Sequence, residues 1–90
     1  MELKELRKKI DAVDAEIVRL FEKRLTISER MAAYKKQNGM PIQDAAREEE
    51  KIAQVQSMTH TAFNRQHIKE LYTLLISLSR KLQEELIKKS

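Results

Sequence analysis

The sequence predicts an all-α fold of three helices, the first much longer than the others. Three observations carry this. From Leu3 the apolar residues recur at Leu6, Ile10, Val13, Ile17 and Leu20, then at Ile27, Met31 and Tyr34. The steps alternate three and four, as along a heptad seam. The chain of 90 residues holds one Gly and one Pro, so it offers few interruptions to a helix. Charged residues are 36% and apolar residues 41%; because the apolar residues are periodic, the balance reads as helical rather than disordered.

The first helix is expected from Leu3 to Gln37, with Asn38-Gly39 as its stop and Pro41 just beyond. At 1.5 Å per residue it spans roughly 50 Å, against a radius of gyration of about 12 Å for a compact chain of this size. It overhangs any globule the remaining residues can build. A second copy related by two-fold symmetry would cover the seam, giving an intertwined homodimer and a six-helix bundle. Asp44 is a suitable N-cap for a second helix, Ala45 to Met58, with Glu48, Glu49 and Glu50 near its positive end. A polar stretch from Thr59 leads to the third helix, expected over about Asn64 to Ile87, with Thr61 and Asn64 both candidate caps. All of residues 1–90 form one domain in this reading.

The net charge of +4 raises nucleic acid as a partner, but the charge is interleaved. Residues 1–38 carry ten Lys/Arg against seven Asp/Glu, and residues 59–90 carry six against three. Acids and bases at helical spacing mark a solvated face. Four aromatic residues provide no stacking platform for bases. Nucleic acid is therefore not the expected partner. MELKELRKKI has no apolar signal region, and the run Leu71 to Leu78 is far short of the roughly 18 residues a membrane span requires. A soluble, cytoplasmic protein without membrane contact is expected; the absence of cysteine suits a reducing compartment.

Each helix carries a polar intrusion in its apolar stripe. In the first it is Arg24, an arginine costing several kcal/mol in a buried seam unless an anion meets it. Lys35 follows close to three full turns later, on the same face as Ser28 and Met31. In the second helix the series Ala45, Ile52, Val55 is interrupted by Glu48, and in the third Ile68, Tyr72, Leu75, Leu82, Leu86 is interrupted by Ser79, with Gln83 one turn on. Glu48 alone does not account for an arginine, a lysine, a serine and a glutamine converging in one core. Together they outline a polar pocket for a small anion. Arg7 lies about 100° round the helix from Arg24 and looks toward another part of the assembly.

Bland explanations stand beside these. Arg24 would be satisfied by an ion pair with Glu48. Lys35 and Lys36 suit a helix C-terminus, Asp44 is a cap first, and Arg47 has Glu50 within surface reach. Arg7 lies among Lys4, Lys8 and Lys9 as a solvated residue would. Ser79 also fits as a packing residue, Gln83 as a surface amide, and Met31, Tyr34 and Tyr72 as core.

The segments LRKKIDAVDAEIVRLFEKR, YKK at Tyr34 to Lys36, PIQDAAREEE and the late SRKLQ resemble the all-helical chorismate mutases over nearly the whole chain. That resemblance implies an intertwined dimer with two sites, rearranging chorismate to prephenate in aromatic amino acid biosynthesis. It implies that Arg24 and the partner subunit's Arg7 hold the two substrate carboxylates. Lys35 and Gln83 would donate to the ether oxygen and Glu48 would accept from the ring hydroxyl, with Asp44, Arg47 and Ser79 completing the site. No metal or cofactor is implied, because a sigmatropic rearrangement needs a selected conformer and preorganised donors. An isochorismate pyruvate lyase of the same fold, or a non-catalytic helical dimerisation module, are the alternatives.

Overall fold

The computed structural model describes residues 2–89. It contains three α-helices, α1 (Leu3–Gln37), α2 (Ala45–Ser57) and α3 (Ala62–Lys89), and no strand among the described residues. The molecule measures 54 × 26 × 14 Å with a radius of gyration of 16.4 Å, well above the value of about 12 Å for a compact chain of this length. The excess is the free half of α1. α3 packs against both α1 and α2, whereas α1 and α2 do not pack on each other. α3 is therefore the floor of a cleft whose walls are the other two helices.

The helix ends explain how the walls are set. α1 stops where Gly39 takes φ 62°. Met40 N–H then donates to Lys35 C=O at 2.8 Å and Gly39 N–H to Lys36 C=O at 3.3 Å. This is the paired closure of a Schellman turn, which occupies carbonyls the helix leaves unpaired. Lys35 and Lys36 lie in that last turn, where the dipole favours cations. α2 begins at Asp44, whose Oδ1 accepts from Arg47 N–H at 3.1 Å. It ends at Ser57, one residue short of the expected Met58. There Met58 N–H turns back to Val55 C=O and Thr59 N–H to Gln56 C=O.

α3 starts two residues before the expected Asn64. Thr61 is the cap: its Oγ1 accepts from Asn64 N–H at 3.0 Å and its C=O from Arg65 N–H at 3.0 Å. The helix also continues past Ile87 to Lys89, ending on Lys88 and Lys89 at its negative pole.

Burial within the single chain is slight, as expected of a long helix that overhangs its own globule. Among the described residues only Ala32 and Val55 are buried apolar residues, joined by the polar Ser28 and Gln83. The seam of α1 faces solvent in the single chain, from Leu3 (61% exposed) through Ile10 (60%) to Tyr34 (62%). Met31 and Tyr34, expected in the core, are thus on the surface of the chain taken alone. Beside Ile27 and Met31 the face of α1 that meets α3 is rotated from the seam by about one residue, or roughly 100°, and carries the buried Ser28 and Ala32. On the opposite, outer side, Arg19 donates to Glu16, and that hydrogen bond holds the Glu16 carboxyl below its usual range.

The Gly39 turn is testable. A Cβ at Gly39 would meet nothing within 4 Å, so only backbone strain opposes a side chain there. Gly39→Ala is expected to cost about 1 kcal/mol and Gly39→Asn distinctly less. Urea unfolding of both variants measures this, and an alanine variant as stable as the parent would contradict a strained left-handed turn.

Candidate functional site

The cleft between α1 and α2 holds a cavity of about 400 Å³, within the range of pockets for small organic ligands. α1 contributes Arg24, Ser28 and Lys35 to its wall, α2 with its cap contributes Asp44, Arg47 and Glu48, and α3 contributes Ser79 and Gln83. Seven of the eight site residues singled out from the sequence therefore line one cavity, joined by Ser28. The eighth, Arg7, is exposed and is not among the lining residues. It lies about 25 Å along α1 from Arg24 at the helical rise, so the single chain does not bring it to the site.

The buried end of the cavity is a connected polar cluster. Gln83, only 3% exposed, accepts from Lys35 Nζ through Oε1 at 3.1 Å. Its Nε2 donates to Ser28 Oγ at 2.9 Å. Ser28 and Ser79 share a short hydroxyl contact across the helix crossing. Lys35 Nζ also donates to the Ile42 carbonyl at 2.8 Å, which ties the connection after α1 to the pocket rim. Gln83 is thus no surface amide and Ser79 no mere packing residue.

Arg24 is held loosely. Its Nη1 reaches the Leu75 carbonyl at 3.4 Å and its guanidinium lies over the Tyr72 ring at 5.8 Å from the centroid, a cation–π distance. No carboxylate of the described residues lies within ion-pair distance of it. Glu48 pairs elsewhere, with Arg80 Nε at 3.6 Å. The ion pair between Arg24 and Glu48 considered from the sequence is absent, and the anion that Arg24 calls for is not supplied by this chain. Arg47 does have the surface neighbour expected, Glu50 at 3.7 Å. That contact is exposed on both sides and adds little to stability.

Sequence reasoning missed Arg80, Lys51 and the Ile42 carbonyl, and assigned Tyr72 to the core; all four residues line the cavity. Arg80 was detectable as the residue one turn after Ile76 and one turn before Gln83. Lys51 lies one turn after Glu48 on the same face of α2. A backbone carbonyl has no signature in a sequence. With them the wall carries five cations, Arg24, Lys35, Arg47, Lys51 and Arg80, against two carboxylates, Asp44 and Glu48. Such a cavity attracts a ligand with more than one negative charge. Among the described residues no group of three His, Cys, Asp or Glu is placed to hold a metal ion, and no helix is long and apolar enough to cross a membrane.

The site is an all-helical cleft with a cationic lining and a buried amide paired with a half-buried ammonium. A family model for chorismate mutase type II matches residues 6–84, and the chain belongs to that family. It is also similar to the bifunctional chorismate mutase/prephenate dehydratase of Aquifex aeolicus (strain VF5), at 45% identity over 49 residues. That match takes in 54% of this chain and 14% of the relative's length. No solved structure matches the chain.

Proposed function

We propose that the chain is a single chorismate mutase domain that converts chorismate to prephenate, working as a two-fold homodimer in aromatic amino acid biosynthesis. The observation that carries this reading is the unpaired Arg24 above the Lys35–Gln83 pair: an anion site beside two groups able to donate to one oxygen. Arg24 takes one substrate carboxylate, and Arg7 of the partner subunit takes the other. Arg47 and Asp44 bound the mouth of the cavity, and Glu48 accepts from the ring hydroxyl.

The reaction breaks a C–O bond and forms a C–C bond within one molecule, with no proton transfer and no covalent intermediate. Its barrier falls when the flexible dianion is held in the compact reactive conformer. It falls further when donors already point at the ether oxygen, where negative charge grows. Lys35 supplies an ammonium. Gln83 supplies its amide NH₂ once the amide turns about its last bond, for Oε1 then accepts from Ser28. The hydroxyls of Ser28 and Ser79 both donate and accept, so the turn leaves no buried group unpaired. No cofactor takes part in this scheme.

The dimer rests on the uncovered seam. Leu6, Ile10, Val13 and Ile17 are all exposed in the single chain, forming an apolar stripe longer than monomeric surfaces carry. A second copy laid along it would bury that stripe and bring Arg7 toward the other cavity.

Three measurements follow from this reading. Purified protein is expected to form prephenate from chorismate. Arg24→Ala should lower kcat/KM by about a hundredfold, the worth of a charge-assisted contact. Because no carboxylate of the described residues partners Arg24, the unfolding free energy should stay within about 0.5 kcal/mol of the parent's. Full activity in that variant, or an inactive parent, would count against the assignment.

Gln83→Glu sets a carboxyl against the ether oxygen. Ionised, it opposes the charge developing there; protonated, it donates as the amide did. Activity should therefore be low at neutral pH and climb as pH falls through the titration of the new carboxyl. A flat pH profile would remove Gln83 from the reaction. For the seam, Val13→Lys should halve the mass seen by sedimentation and abolish turnover with it. A parent of single-chain mass, or an active monomeric variant, sinks the dimer reading.

A further inference from the structure

One charged residue of the cavity has no task in the scheme above. Arg80, on the α3 floor, directs Nε at Glu48 Oε2 on the α2 wall at 3.6 Å, and the two side chains are 33% and 24% exposed. That Nε is shut off from solvent and makes no hydrogen bond. A buried N–H without an acceptor is uncommon, and here the nearest carboxylate stands just beyond reach. Glu48 forms no other ion pair or side-chain hydrogen bond with the described residues, so most of its accepting capacity is free.

A carboxylate in a cavity built for a dianion is an electrostatic liability. The ligand's negative charges repel it, and partial burial weakens its hydration. It is retained at low cost only with a cation beside it. Arg24 and Lys35 do not serve, since neither is within ion-pair distance of Glu48. Arg80 is the cation in place.

We propose that Arg80 is a positioning residue for Glu48, offsetting its charge and fixing one carboxylate oxygen so that the other meets the ligand's hydroxyl. Arg80 thereby makes the site selective for a hydroxylated dianion over one lacking the hydroxyl. The inference rests on the chorismate reading and extends it from the reacting bond to the opposite edge of the ring. The guanidinium acts through Glu48 and does not touch the ligand carboxylates. Its unmet Nε–H gives the pair room to tighten when the carboxylate turns toward a bound hydroxyl.

Steady-state kinetics on the full chain tests this, with chorismate as substrate and ring-deoxychorismate as a competing dianion without the hydroxyl. The parent, Arg80→Met, Arg80→Lys, Glu48→Gln and the Arg80→Met/Glu48→Gln double variant are compared, with helical circular dichroism as the check on folding. Arg80→Met is expected to raise KM for chorismate about tenfold with a smaller change in kcat. It should leave the inhibition constant of the deoxy dianion within about twofold of the parent. In the Glu48→Gln background the same replacement should change KM by less than about twofold. Arg80→Lys, which keeps the charge, should recover most of the loss. If the methionine variant loses helical signal, Arg80→Gln replaces it with the same expected readouts.

Additive effects in the double variant, or an equal loss of affinity for the deoxy dianion, would overturn the proposal and put Arg80 on a ligand carboxylate. An active parent with an unchanged Arg80→Met variant overturns it alone. A parent that forms no prephenate takes down the chorismate reading, and this inference with it.

Discussion

The crossing of α1 and α3 depends on a short run of polar side chains that satisfy one another. Ser28, Ser79, Gln83 and Lys35 form it, and Ala32 lies one turn along from Ser28. Small side chains let the two helices approach closely, and the closeness shuts water out. A dry polar cluster is stabilising only when complete, because each unmatched group costs more than a matched one contributes. The cluster is complete here without a ligand, and its hydroxyls can exchange donor for acceptor. The same residues therefore hold the helices in register and present polar groups to the cavity.

The remainder of the chain adds little apolar burial to that crossing. Ala32 and Val55 are the buried apolar residues described, a core too small for a chain of this length to rest on by itself. What is missing is visible along α1, where Ile10, Val13 and Ile17 are each more than half exposed. The apolar material exists, but it lies along the N-terminal half of α1, where every described residue up to Leu20 is exposed. That uncovered stripe is the surface on which the proposed second copy would sit.

The helices were legible in the sequence because their periodicity and stop signals are local. Asn38-Gly39 and Asp44 act through their own neighbours, and the structure shows both turns. Thr61 was harder, since two polar residues within reach were equally suited to cap α3. Arg24, Glu48 and Ser79 stood out because each interrupts an apolar series, and a gap in a series is a visible event. Arg80 interrupts nothing: it lies between Ser79 and Lys81, in a polar step of the pattern, and only its spacing of one turn to Ile76 and to Gln83 marks it as facing the cavity. A heptad stripe tells which residues share a face but not which neighbour takes it, and beside Ile27 and Met31 α3 meets the adjacent face, with Ser28 and Ala32.

α1 and α2 have no packing contact with each other, and that has a mechanical consequence. Each is fastened to α3 and to the short connection pinned by Lys35 on the Ile42 carbonyl, so the width of the cleft is set at one edge and free at the other. In the proposed reading, a ligand gripped by Arg24 on one side and Glu48 on the other would be a tie beam across an open frame. It would supply the strut between two walls that the polypeptide omits, and its binding free energy would become stiffness of the fold.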